Sequence, residues 1–562
     1  MKQRILALCI LPMALCTTVF TSCSDYLEEE NPSGVNASTF YATESGAESG
    51  VKSCYSFLRL YYGKEQGYHF SEIGTDIFCG ATGNTATEFD TYNISLSGSS
   101  SCDASVWEAF YLALNTCNEL IDKLPTSALN ESTRNIRLGE VHFLRALYLW
   151  QIVTNWGDVV LNTEPTQSPV TDLHRSSEEE FYKVIVEDLK FACENLPTTT
   201  SDYGRVTRGA AQAMMSRVSL YTEDWASVIK YSDMVLADKN YQLAEDYNQL
   251  VDVTTCNSVK ENIFVCNYAS QSNNNYNSSI TYGPNGKDMT IRNGGNNAHM
   301  FWTMLYDKCT DRDGKTPVSR CIEYGRPFNR FMPTLFYLDL FNEKIDSRYD
   351  DLFQQAWISN NNNSSYIKSG DTAIVFTKYK VDEAVKSTAP YIIVDRSRVY
   401  ADDGTPIDRS WNTTFLKFAD PTRGATNDQH SGRDAVIIRL AEVYLNAAEA
   451  YFRQGDRKKA ADMLNVVRCR AAKPGCEEQM KCSENDVTID FILDERAREL
   501  GGEQLRWQDL KRTGKLVERV NAHNMLAHGN VQQYHLLRPI PLTTLDGVTN
   551  PDEFKQNPGY TN

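Results

Sequence analysis

Apolar residues recur at helical spacing in two long stretches of this chain. In residues 134–151 the positions Ile136, Val141, Leu144, Leu147 and Tyr148 share one face, which predicts an amphipathic helix. Residues 178–195 repeat the pattern with Phe181, Ile185, Leu189 and Ala192, and Pro197 ends it. Two more helices, 210–221 and 225–236, are expected on either side of the short turn Thr222-Glu223-Asp224. The second stretch is 434–515. There Ile437, Leu440, Tyr444, Ala447, Ala448 and Tyr451 form a stripe that Gly455 stops, and Ala460, Leu464 and Val467 begin the next.

The two hairpins resemble each other. Ser219-Leu220-Tyr221, Asp224 and Val228 parallel Tyr451-Phe452, Gly455-Asp456 and Ala460. Small residues let paired helices approach and large ones fill the gap, which is the packing of tetratricopeptide-type helix pairs. Residues 253–430 read differently. Asn, Ser, Gly and Tyr crowd 271–297, and 360–370 is a second polar stretch. Short β-like runs at 374–376 and 391–394 sit between turns. The pattern predicts a mainly α protein, with helical hairpins carrying a loop-rich, partly β region. Binding usually resides in such loops.

At 562 residues the chain is long enough for a large core, and its formal net charge is -17. An acidic body repels phosphate backbones, which argues against nucleic acid. The N-terminus adds a location. Lys2 and Arg4 precede an apolar run from Ile5 to Phe20, and Thr21-Ser22-Cys23 follows. The run is too short for a spanning helix and fits a signal peptide. Small residues before Cys23 resemble a bacterial lipobox, in which the chain is cut before the cysteine and the cysteine is lipidated. Phe20 departs from the small aliphatic usual at its place. Removing 1–22 deletes Lys2 and Arg4 and no acid, so the net charge becomes -19. Asp25, Glu28, Glu29 and Glu30 then form an acidic tether that resembles a surface-export signal. Twelve cysteines remain besides Cys9, Cys16 and Cys23. Their spacing does not match paired zinc knuckles, and mostly free buried thiols are expected. A Cys309–Cys321 disulfide is geometrically conceivable.

Several ordered blocks carry a family resemblance. Phe143-Leu144-Arg145-Ala146-Leu147-Tyr148 leads to Trp156-Gly157-Asp158, and Pro333-Thr334 precedes Asp346-Ser347-Arg348-Tyr349. Arg439-Leu440-Ala441-Glu442-Val443-Tyr444 opens the second helical region. Leu493-Asp494-Glu495-Arg496-Ala497-Arg498-Glu499-Leu500 is followed by Arg506-Trp507-Gln508-Asp509-Leu510. The tail holds Pro539-Ile540-Pro541 and Asn557-Pro558-Gly559-Tyr560. In this order, behind a lipobox, they resemble the SusD/RagB family of Bacteroidetes outer-membrane lipoproteins. The resemblance implies a SusD-like fold: a tetratricopeptide-like scaffold with irregular ligand-binding loops. It also implies a lipid-anchored protein on the cell surface that binds a glycan and partners a SusC-like TonB-dependent transporter. RagB-like members handle peptides, which leaves peptide capture as the alternative. The expected organisation is a signal peptide (1–22), a lipidated tether (23–43), an N-terminal helical scaffold (44–252), a loop-rich region (253–433) and C-terminal hairpins with the tail (434–562). Residues 44–562 form one unit.

Catalytic motifs are lacking. The chain has no HExxH, GxSxG or GxGxxG, and the glycines of Gly283-Pro284-Asn285-Gly286-Lys287 have the wrong spacing for a phosphate loop. Glu495 and Glu499 could suggest a surface glycosidase, but on a charged helix they are expected in ion pairs. Asp311-Arg312-Asp313-Gly314 lacks the later ligands of a calcium loop and reads as a turn. No enzyme activity, metal or cofactor is expected. A sugar site wants aromatic platforms beside polar side chains. Two segments supply them. The first is 76–92, with Phe78, Asn84, Phe89, Asp90 and Tyr92. The second is 276–330, with Tyr276, Tyr282, Asn285, Arg292, Trp302, Tyr306, Tyr324 and Arg326. Trp107, Trp150, Trp156 and Trp507 fall in helical blocks and are assigned to packing.

Overall fold

In the computed structural model, which describes residues 37–269 and 295–561, the helices begin at strong local caps. Asn130 accepts from the Thr133 backbone N–H at the start of α5 (Glu131–Trp156). Ser177 and Glu180 form a reciprocal capping box at the start of α6 (Glu178–Asn195). Before these come α1 (Ala37–Ala42), α2 (Glu44–Ser56), α3 (Glu65–Ser71) and α4 (Ser101–Lys123). After them come α7 (Arg208–Tyr221), α8 (Trp225–Leu236), α9 (Leu440–Arg453), α10 (Arg457–Arg470), α11 (Ile489–Leu500), α12 (Arg506–Arg512) and α13 (Leu516–His523). The expected helix 178–195 coincides with α6. The expected helix 134–151 is longer in the structure because the apolar run continues to Trp156. From Gly139 onward α5 is buried on every side, which makes it the axis of the scaffold.

The helices stack in chain order from α4 to α8, and α8 packs on α9 across some two hundred intervening residues. The hairpins α7–α8 and α9–α10 are alike in detail. Asp224 and Asp456 each cap the second helix by accepting a backbone N–H 3.0 Å away. The residue before each Asp is left-handed: Glu223 at φ 54° and Gly455 at φ 86°. Gly adopts that conformation without strain, whereas Glu does not. The α-helix α1 lies within the segment expected to be tether, and it packs on α4. Cys23 and the rest of the acidic run lie outside the described residues.

Among the described residues the strands form three small sheets. Strands β1 (Phe78–Gly80) and β3 (Phe331–Pro333) pair antiparallel. Strands β2 (Asn262–Cys266) and β7 (Ala435–Arg439) also pair antiparallel and join the two helical halves. Strand β5 (Thr372–Thr377) lies between β4 (Ala356–Ile358) and β6 (Ile392–Asp395), so the runs expected at 374–376 and 391–394 are strands. The apolar interior has two main parts. One lies among the helices, and the other is an aromatic core under the loops, holding Phe78, Trp302, Phe331, Tyr337 and Phe415. The twelve described cysteines are free, Cys309 and Cys321 among them.

A buried charge cluster sits where the two parts meet. Glu499 on α11 accepts from Arg439 at 2.6 Å and Arg348 at 3.0 Å, and also from Arg470. Glu495 one turn earlier accepts from Arg348 at 2.8 Å, Arg468 at 2.6 Å and Arg498 at 2.8 Å. Glu261 beside β2 binds Arg439 and Arg470 at 2.6 and 2.7 Å. Burial pushes the Glu499 carboxyl up, but Arg470, Arg439 and Arg348 outweigh it and hold it down at about 2. The ion pairing expected of Glu495 and Glu499 is present, inside the protein rather than on a solvated helix face.

Candidate ligand-binding site

The two segments expected to bind ligand do meet, but their aromatics meet in the core. Phe78 on β1 packs on Trp302 with ring centroids 4.5 Å apart, and on Tyr337 and Phe415. Trp302 also packs on Tyr68 and Phe331. It directly follows the short helix Ala298–Phe301. Phe89 packs on Phe70, and Tyr92 packs on His535. Tyr306 donates to the Gly325 carbonyl at 2.7 Å and packs on Tyr324. Phe78, Phe89, Tyr92, Trp302 and Tyr306 are all buried. As ligand contacts they are corrected: Phe78, Trp302 and Tyr306 close the aromatic core beneath the loops, and Phe89 and Tyr92 belong to the core among the helices. Asp90 is corrected too. It is wholly buried against Gly80, and burial raises its carboxyl to about 6. Tyr276, Tyr282, Asn285 and Arg292 lie outside the described residues.

Three of the expected residues reach the surface region above that core. Asn84 is half-buried, and its Oδ1 accepts from the Ala86 N–H at 3.3 Å. Tyr324 is half-buried, and its hydroxyl accepts from the Ile358 N–H at 2.8 Å. The Arg326 guanidinium lies over the Phe328 ring, 4.4 Å from its centroid. The loops are interlocked through the backbone. The Ala81 and Gly83 N–H groups donate to the Arg330 and Asn329 carbonyls, each at 2.8 Å. Asn329 Nδ2 donates to the Arg409 carbonyl at 2.9 Å, and Arg409 donates to the Gly80 carbonyl at 3.3 Å. Arg409, with Trp411 two residues on, was missed by sequence reasoning. The spacing Arg409-Ser410-Trp411, which matches Arg326-Pro327-Phe328, was the available signal.

Beside this loop face opens a cleft of about 1510 Å³. Thr85 and Ala86 from the first segment line it, as do Asn297 and Phe301 from the second. Its opposite wall is the start of α4, with Ser99, Ser100, Ser101 and Ser105, and the tail adds Thr543 and Thr544. Trp107, assigned to packing, lies tilted against Tyr111 and edge-on to Trp156, and both Trp107 and Tyr111 border the cleft. Glu65 joins cleft to loop face: Thr85 donates to it at 2.8 Å and Arg330 lies 3.2 Å away. Burial pushes Glu65 up, but His69, Arg330 and Thr85 hold it at about 2. Lys64 also lines the cleft. It donates to Asn297 Oδ1 at 3.0 Å and to the Gly295 carbonyl, and burial lowers its ammonium to about 7. Hydroxyls, amides and two aromatic edges make a surface for hydrogen-bonding a polyhydroxylated ligand.

A profile of the SusD family matches residues 260–560, more than half of the chain. The chain belongs to the SusD family. A second profile, described as starch-binding and associating with the outer membrane, matches residues 25–220. A SusD-like protein of Formosa agariphila is 24% identical over 544 residues, covering 93% of this chain and 94% of its own. The starch-binding protein SusD of Bacteroides thetaiotaomicron is 22% identical over 465 residues, 77% of this chain and 75% of its own. Among solved structures, a laminarin-binding SusD-like protein superposes with a TM-score of 0.64 at 21% identity, covering 92% of this chain and 100% of that one. Surface glycan-binding protein A from Bacteroides thetaiotaomicron, in complex with laminarihexaose, gives 0.64 at 18% identity, with 92% and 99% covered. The SusD fold expected from the ordered blocks is the fold of this chain. No group of three or more metal-ligating side chains is found among the described residues, and the Asp311–Gly314 stretch is a tight turn in which Asp311 Oδ1 accepts from Asp313 and Lys315.

Proposed function

We propose that this chain is a non-catalytic cell-surface glycan-binding protein. It captures an oligo- or polysaccharide and delivers it to a SusC-like TonB-dependent transporter in the outer membrane. The observation that carries this reading is the cleft. At about 1510 Å³ it exceeds the roughly 300–1,000 Å³ usual for small-molecule pockets, and its lining is rich in hydroxyl and amide groups. A sugar oligomer matches both features. The related structures named for laminarin and laminarihexaose support the ligand class. The Cys23 lipid would hold the protein at the outer surface, with the acidic residues after it as the link. The absence of catalysis is supported by Glu495 and Glu499, which are buried among arginines where no substrate reaches.

The experiment is a glycan panel screened with the mature protein by calorimetry, beside growth of a strain lacking the gene. Binding to at least one oligosaccharide, and loss of growth on the same glycan, is the expected result. Failure to bind any glycan, with co-purified peptides found by mass spectrometry, would overturn it in favour of peptide capture.

A further inference from the structure

The loop face beside the cleft carries three arginines of an unusual kind. Arg326 lies 4.4 Å over Phe328 and reaches the Asn427 carbonyl at 3.5 Å. Arg398 lies 4.8 Å over Trp411. Arg409 touches the Gly80 carbonyl at 3.3 Å. Phe328 and Trp411 are half-buried, as are the three arginines. Among the described residues none of the three has a carboxylate within 4.0 Å, whereas neighbouring Arg330 is paired with Glu65 and Arg320 with Asp307. The nearby acids are engaged or turned elsewhere: Asp408 accepts from the Ser410 N–H at 3.1 Å, and Glu323 is exposed to solvent. An acidic protein thus keeps a local set of cations with no carboxylate in direct contact, although the buried Asp90 carboxyl feels the charge of Arg409. Two of them are held in place by aromatic rings. A ring under a guanidinium limits the rotamers it must give up on binding, so its donors are preorganised for an oxyanion. The bonds among loops 80–83, 326–330 and 409–412 fix the spacing of Arg326 and Arg409, and Arg398 joins them through Trp411, two residues from Arg409.

We propose that this face recognises the acidic groups of an anionic glycan, carboxylate or sulfate, and that Arg326, Arg398 and Arg409 supply the charge-assisted hydrogen bonds. The inference rests on the glycan-binding reading and names the ligand class. The face adjoins the cleft through Glu65, so one polymer spans both, with its hydroxyls in the cleft and its acidic groups on the loops. The mature net charge of -19 opposes an acidic polymer at long range, but at physiological salt screening confines each charge to about 8 Å, so the arginines decide the local contact.

The test uses the full mature chain with three probes: oligogalacturonate, dextran sulfate and unmodified dextran. Binding to oligogalacturonate or dextran sulfate that weakens as salt rises from about 50 to 300 mM is expected. Whichever acidic probe binds identifies carboxylate or sulfate as the group read. Arg326→Gln should weaken that binding about tenfold, the equivalent of one lost charge-assisted hydrogen bond. Arg409→Gln is the second variant, and unfolding midpoints for both separate a lost contact from a lost fold. Binding to dextran or another neutral glycan alone overturns this inference and leaves the glycan reading standing. Binding to no glycan of either kind takes down both. Capture of poly-glutamate in place of either acidic polymer overturns it in favour of an acidic protein partner. Acidic-glycan affinity unchanged in a folded Arg326→Gln also overturns it.

Discussion

Arginine does two opposite things in this protein. In the buried cluster Arg348, Arg439 and Arg470 each touch two or more carboxylates and see no solvent to speak of. On the loop face Arg326, Arg398 and Arg409 touch rings and carbonyls but no carboxylate among the described residues. The side chain is the same, so the difference lies in what its charge has been given to bind. A buried guanidinium must be neutralised where it stands, because desolvation costs several kcal/mol per ion. A half-exposed one is stable with water and a ring, and its remaining donors stay available. The cluster therefore belongs to the fold, and the loop set belongs to whatever approaches the protein.

The largest expected effect comes from breaking the cluster. Glu499→Ala removes a carboxylate that three arginines share. It should cost about 3–5 kcal/mol, since uncompensated buried charges remain. Urea unfolding at neutral pH measures it. A cost under about 1 kcal/mol would mean that water enters the cluster, and the contrast with the loop face would fail.

Acid titration sharpens the same contrast. The Glu499 carboxyl is held at about 2 in the folded state. The unfolded chain binds that proton first, near the ordinary glutamate value of about 4.3. The stabilisation is thus complete above that value and is lost as pH falls toward about 2. Glu499→Gln carries no proton there, so its unfolding free energy should fall less than the parent's between pH 5 and pH 3. An unchanged slope would assign the acid sensitivity to other depressed carboxylates, such as Asp76 between Arg506 and Arg519.

The sequence was most legible where local rules suffice. The helix at 178–195 has a capping box, a clean stripe and a proline stop, all within a few residues. The paired hairpins showed through because helix packing repeats small residues at fixed places. The site was less legible for a physical reason: an aromatic in a polar segment has the same local signature whether its ring faces solvent or closes a core. Phe78 lies in the polar-aromatic segment 76–92 and Trp302 in 276–330, yet their immediate neighbours Ile77, Cys79, Met300 and Phe301 are apolar, and the two rings meet inside because the β1–β3 pair and the Trp302 turn point both inward. Burial of that kind depends on contacts more than two hundred residues apart. The arginine cluster was hidden likewise. Glu495 and Glu499 read as ion-paired carboxylates, solvated or interhelical, and only Arg348, Arg439 and Arg470, arriving from three other segments, decide between the two.

The smallest effect probes the other side of the comparison. Arg326 makes one long bond, 3.5 Å, to a backbone carbonyl and stacks on a single ring. Exposed contacts of this kind contribute little, so Arg326→Gln should change the unfolding free energy by less than about 0.5 kcal/mol. The same substitution is expected to weaken acidic-glycan binding. Stability kept while binding falls is the pattern of a residue held for a ligand. A loss above about 1 kcal/mol would instead place Arg326 with the buried arginines, as a residue the fold requires, and the free-cation account of the loop face would go with it.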